Sequence, residues 1–245
     1  MTEYSEKNPA RRGFIFGAVI VGILIVIAGV LIVSSLLGGG DTPSASTPEP
    51  SSSPSSSPST AAPAGDASVC GLTDVEDTDT VTAAPVAEWE IVGTMAAPTA
   101  EEVGPGLEDA DGIRSCYART AEGALFATAN IWAMGTDSRL GPLITERLVV
   151  PGPGQDAALA NQGSGSNSGG LAAQIAGFKI LSYDGTDATV DLAFRLNTGN
   201  LVSVPQALQW SDGDWKVLLN DDGQSSFRPS ALQSLGGYIP WAGIQ

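Results

Sequence analysis

Between Thr120 and Gly135 nearly every side chain is apolar, Glu122 and Asn130 being the strongly polar exceptions. On a helical wheel Leu125, Ala129 and Trp132 share one side, Phe126 and Ala133 a second, and Ala124, Ala127 and Ile131 a third. A helix apolar on every side belongs in a core or in a membrane. At about 1.5 Å per residue this one is about 24 Å long, short of the roughly 30 Å of a bilayer's hydrocarbon core. The pattern therefore predicts a buried core helix, with Thr120 as N-cap and Glu122 in the first turn.

Beyond residue 178 the period changes. FKILSY (178–183), ATVDLAFRL (188–196), LVSVPQALQW (201–210) and WKVLL (215–219) read as strands. Val190, Leu192 and Phe194 alternate with Thr189, Asp191 and Arg195. The connections DGTD, NTGN and SDGD are turn formers, and short turns between alternating runs predict antiparallel hairpins. Pro205 pushes its strand toward an edge or a bulge. Upstream, AEWEIVG (87–93) reads as a short strand before a Pro/Gly-rich loop. Residues 138–148 read as a second helix before the breaker PGPG, and LAAQIAG (171–177) as one or two helical turns. Helices first and a curled antiparallel sheet second predict an α+β domain, the core helix lying on the sheet.

The N-terminal third has a different pattern. Residues 13–37 form an uncharged apolar run, long enough to span a bilayer and too long for the apolar stretch of a cleaved signal peptide. Lys7, Arg11 and Arg12 precede it, so the positive-inside rule predicts a cytoplasmic tail (1–12), a transmembrane helix (13–37) and an exported remainder. Residues 38–68 are Ser-, Pro- and Ala-rich with almost nothing to bury, which predicts a disordered linker. Residues 69–245 are left as the extracytoplasmic domain. The expected localisation is the cell membrane, single-pass, with the C-terminal domain outside.

Charge narrows the partners. The chain carries 27 acidic and 11 basic residues. From Ala67 onward there are 22 acidic and 8 basic, a net −14 that excludes nucleic-acid contact by this domain. Its two cysteines, Cys70 and Cys116, are expected to form a disulfide, since both lie beyond the predicted span, where such bonds persist.

The chain has no histidine, which removes Ser-His-Asp and Cys-His nucleophilic sites. Two cysteines without histidine make a poor zinc site. GSGSNSGG lacks the preceding strand and the Gly-Lys-Ser/Thr ending of a phosphate-binding loop. NDDG and SDGD do not continue to the glutamate that an EF-hand calcium loop needs, and read as turns. Asp191 could serve as a general base in a sheet-lined pocket, but reads as an outward-facing strand carboxylate. Trp89, Trp132, Trp210, Trp215 and Trp241 read as core and rim packing. The expectation is a protein that is not an enzyme, with no catalytic residues, cofactor or metal.

The segments WEIVG, CYARTAEGALFATANIW, QIAGFKILSY, LQWSDGDWKVLL and LGGYIPWAGI resemble a family of actinobacterial single-pass membrane proteins of integrative and conjugative elements. The resemblance covers residues 86–244 and the apolar run, and is most distinctive at 117–124, Y-x-R-T-x-x-G-A. It implies a VirB8/TcpC-like exported domain with the NTF2-like fold, a cone of helices packed on a curled sheet. It further implies a scaffold role in a cell-envelope assembly for conjugative DNA transfer. Its partners would be the membrane, other envelope or conjugation proteins, or further copies of the chain. The alternative expectation is an NTF2-like pocket that binds a small apolar ligand, as a sensor or carrier.

Overall fold

The computed structural model of the protein describes residues 67–72, 80–162 and 173–243. Of these, 36% lie in strands and 19% in helices. In chain order the elements are a hairpin of β1 (Glu88–Val92) and β2 (Met95–Thr99), and a short pair, β3 (Leu107–Glu108) with β4 (Arg114–Ser115). Three helices follow: α1 (Ala121–Met134), α2 (Gly141–Arg147) and α3 (Pro153–Asn161). The main sheet contains β5 (Ala173–Tyr183), β6 (Asp187–Leu196), β7 (Leu201–Ser211), β8 (Asp214–Val217), β9 (Ser230–Leu232) and β10 (Ile239–Pro240). Its order is β10-β5-β6-β7-β8, with β9 also paired to β7, and every pairing is antiparallel.

α1 forms where the wheel places it. The Thr120 side chain accepts the Gly123 N–H at 3.0 Å, capping the first turn. Twelve of its fourteen residues are buried, packed against β2 and the inner face of the main sheet. Val190, Leu192 and Phe194 of β6 line that face. Two polar side chains inside the helix satisfy themselves on backbone oxygens. Thr128 Oγ1 donates to the Ala124 carbonyl, and Asn130 Nδ2 to those of Pro98 and Phe126. Trp132 departs from the wheel: it is 36% exposed and rests on Phe194, ring centroids 5.6 Å apart.

The motif at 117–124 has a physical account. Tyr117 is buried, Arg119 Nε donates to the Gly185 carbonyl at 2.7 Å, and Thr120 is the cap. A side chain at Gly123 would collide with the Ala118 carbonyl, so the chain can only fold back here without one.

The hairpins follow their turns. Asp212, with φ 55°, and Gly213, with φ 79°, make the two-residue β7–β8 turn, whose positive φ values suit Asp-Gly. Pro205 sits where β7's outer side is divided: β9 pairs with Leu201–Ser203 and β8 with Leu208–Ser211. Its missing N–H thus falls between two partner strands, not within a ladder.

The structure corrects two expectations, the fold class and the membrane placement. The α+β, NTF2-like cone of helices is not what forms: strands dominate, and α2 and α3 have only seven and nine residues. One cause lies at QIAG, expected to be helical. These residues open β5 instead, because Ile175 pairs across from Phe194 and Phe178 from Leu192, continuing the period of the sheet. A second cause is TMAAPT, part of an expected loop, of which Met95–Thr99 form β2. The membrane placement is corrected as well. The expected span, 13–37, lies outside the described residues, and no helix among the described residues is long and apolar enough to cross a membrane. Among the described residues, the single-pass localisation therefore has no structural element behind it. The expected linker lies outside them too, except for Ala67 and Ser68.

Candidate functional site

The C-terminal segment builds one side of an open groove. After β10, the Trp241 N–H donates to the Ala176 carbonyl and its indole Nε1 to the Pro85 carbonyl at 3.2 Å. The buried indole meets Trp89, Phe178 and Phe126 with centroids 4.8, 5.5 and 5.5 Å away. This aromatic cluster ties four separate stretches of chain together and fixes the groove floor. The groove measures about 640 Å³ and is lined by Pro85, Val86, Trp89, Pro240 and Trp241, with Arg195 and Gln174 on its polar side. Val86 is 93% exposed.

The electrostatic feature of this groove is Arg195. Elsewhere the cations of this acidic domain are engaged. Arg114 pairs with Glu90 and Glu108, Arg139 with Asp137, Arg147 with Asp109 and Asp111, and Lys216 with Asp212. Arg119 lies over the Trp210 ring, and the Lys179 ammonium 4.4 Å from the centre of the Tyr238 ring. Among the described cations only the side chains of Arg195 and Arg228 make no ion pair, hydrogen bond or ring contact. Arg195 lines the groove described above. Gln174, across from it in the β5–β6 ladder, is committed elsewhere: its amide accepts the Ala96 N–H and donates to the Thr94 carbonyl.

Asp191 faces outward from the sheet as expected, but it is not exposed there. It is buried on the outer face of the sheet, where Ser203 Oγ donates to it at 2.8 Å and the Tyr238 hydroxyl at 2.5 Å. Burial, then the bond to Asp191, raises the Tyr238 phenol, so it stays protonated and donating. With Ser203 also buried, this cluster clasps the C-terminal segment to the sheet. A second internal acceptor is Asp214, whose carboxylate takes the backbone N–H groups of Cys116, Tyr117 and Trp215 at 2.7, 2.9 and 2.9 Å. Burial raises its carboxyl, against the lowering effect of these donors.

The expected disulfide is present: Cys70 and Cys116 are bonded, with Cα atoms 6.1 Å apart. SDGD is a hairpin turn, and NDDG makes a turn closed by the Gly223 N–H on the Asn220 carbonyl. GSGSNSGG lies outside the described residues. Arg195 and Tyr238 carried no signal of their own in the sequence. Only the alternation of β6 hinted that Arg195 shares a face with Asp191.

The family model described as "Domain of unknown function (DUF8175)" matches residues 49–240. The chain belongs to this family. The DUF8175 match takes in every strand and helix described above and ends on Pro240, the last residue of β10. The disulfide, Arg195 and the clasp at Asp191 therefore all lie within the family domain, and Trp241 lies just past its matched range. No curated protein and no solved structure matches the chain.

Proposed function

We propose that this domain is a non-enzymatic docking module of a multiprotein assembly, and that the assembly is the conjugative DNA-transfer apparatus implied by the sequence resemblance. The observation that carries the docking reading is the groove beside Arg195. Tryptophan and arginine are the residue types enriched where protein interfaces concentrate binding energy. A guanidinium without a side-chain partner among the described residues, in a domain rich in carboxylates, offers a local exception to an otherwise repulsive field for an acidic segment of a partner. An apolar lining with one fixed cation suits a partner segment that is apolar with a single carboxylate.

Deleting the gene from a self-transmissible element and measuring transfer to recipient cells tests the assembly. Transfer should collapse and return with the intact gene; undiminished transfer removes the conjugation reading. Docking through the groove within that assembly is tested by charge reversal at Arg195.

A further inference from the structure

We infer that the Cys70–Cys116 disulfide is a redox-releasable latch on a surface strap, residues 67–70, and not a staple of the core. The two sulfurs differ in setting. Cys116 is 0% exposed, whereas Cys70 is exposed.

The strap lies on a floor made flat by two glycines. A side chain at Gly106 would reach within 2.7 Å of Cys70 Sγ, and one at Gly213 within 2.6 Å of the Ala67 carbonyl oxygen. Among the described residues, little apart from the bridge holds it. The Val69 N–H donates to the Gly213 carbonyl at 3.1 Å, Ser68 Oγ sits 3.4 Å from Cys116 Sγ, and the Val69 side chain is exposed. A segment with so little buried surface and one backbone bond to its support opens easily once unlatched.

Cys116, in contrast, does not depend on the bridge for its place. Its N–H donates to Asp214 at 2.7 Å, and its carbonyl accepts the Gly106 N–H at 2.7 Å. The next N–H, of Tyr117, also goes to Asp214. Its left-handed backbone, φ 65°, is therefore bracketed by hydrogen bonds on both sides.

The chemistry is thiol–disulfide exchange with a dithiol reductant. One thiolate of the reductant attacks the exposed Cys70 Sγ. The bond to Cys116 Sγ breaks, and the electron pair leaves on Cys116, which takes up a proton. The second thiol of the reductant then attacks its own mixed disulfide and expels Cys70 as thiolate. The reductant ends as a disulfide and the protein as a dithiol, a two-electron exchange. The strap is then free to leave its glycine floor.

Amide hydrogen exchange on the full chain, labelled for seconds, tests this, with dithiothreitol as the reductant and Cys70→Ser as the unlatched variant. Losing a cross-link lowers global stability whatever its role, so short labelling is needed to read the native state alone. Exchange at the Val69 amide should rise at least tenfold on reduction and in Cys70→Ser. The amides of α1 and β5–β8 should stay protected, and reoxidation should restore the strap. In the folded, reduced protein, iodoacetamide should modify Cys70 at least tenfold faster than Cys116. Loss of protection in α1 and β5–β8 together with the strap, failure of Cys70→Ser to fold, or a strap that stays protected after reduction would each overturn the latch.

Discussion

The carboxylate of Asp214 accepts the backbone N–H of Cys116 at 2.7 Å, joining positions 98 residues apart in sequence. With the bonds from Tyr117 and Trp215 it satisfies three buried donors at the point where β8 meets the entry to α1. Asp214→Ala would strand all three. At about 1–3 kcal/mol for an unmet buried group, the variant should lose about 3 kcal/mol or more, read from the denaturant midpoint. A loss under 1 kcal/mol would show that this junction closes without the carboxylate.

Two aspartates should push the pH dependence in opposite directions. The backbone N–H of Asp187, then that of Thr186, holds the Asp184 carboxyl below its usual 3.8. Its stabilising contribution is full above the unfolded value and is lost as pH falls through the lower folded value. Asp214 is held above 3.8 by burial, so its contribution grows as pH falls through its folded value. Denaturation between pH 6 and pH 3 should find Asp184→Asn losing less stability on acidification than the parent chain, and Asp214→Asn losing more. The reverse order would mean that the burial of Asp214 does not control its titration.

The Tyr117 hydroxyl is buried and makes no hydrogen bond among the described residues. Burial raises its phenol well above the usual value, so it remains neutral and polar in an apolar setting. Tyr117→Phe removes the unmet group and keeps the ring, and should stabilise the domain by about 1 kcal/mol in a melting or denaturant experiment. A destabilised variant would reveal a partner for the hydroxyl.

Within α1 the energetic weight falls on Phe126, not Trp132. Phe126 is fully buried and touches Trp241, so Phe126→Ala should cost about 3–5 kcal/mol. Trp132, partly exposed on Phe194, should cost about 2 kcal/mol on truncation, one aromatic pair on top of its partial burial. Equal losses would contradict the exposure of Trp132.

What could be read from the chain was whatever local chemistry decides. Thr120 caps α1 because a hydroxyl three residues before Gly123 meets a free helical N–H, and Asp212-Gly213 turns because both residues tolerate positive φ. The fold class was misread where local pattern is ambiguous. QIAG is a short apolar run that suits a helix turn as well as a strand, and only Phe194 and Leu192 across the ladder decide it. The site was hidden for a different reason. That Arg195 stands unpaired depends on where the carboxylates of the domain come to rest, and Asp191 is buried by Tyr238, 47 residues further along. Neither fact has a local signature.

The central claim is that the groove beside Arg195 docks a protein partner in a transfer apparatus, and charge reversal there tests it most directly. A self-transmissible element lacking its own copy of the gene is complemented with the parent chain or with Arg195→Glu at matched protein level, and transfer frequency is measured. Arg195 is exposed and its side chain makes no bond among the described residues, so the substitution should leave the melting temperature unchanged. The account predicts at least a tenfold fall in transfer with Arg195→Glu and near-full transfer with Arg195→Lys. Transfer equal to the parent chain with Arg195→Glu would contradict it.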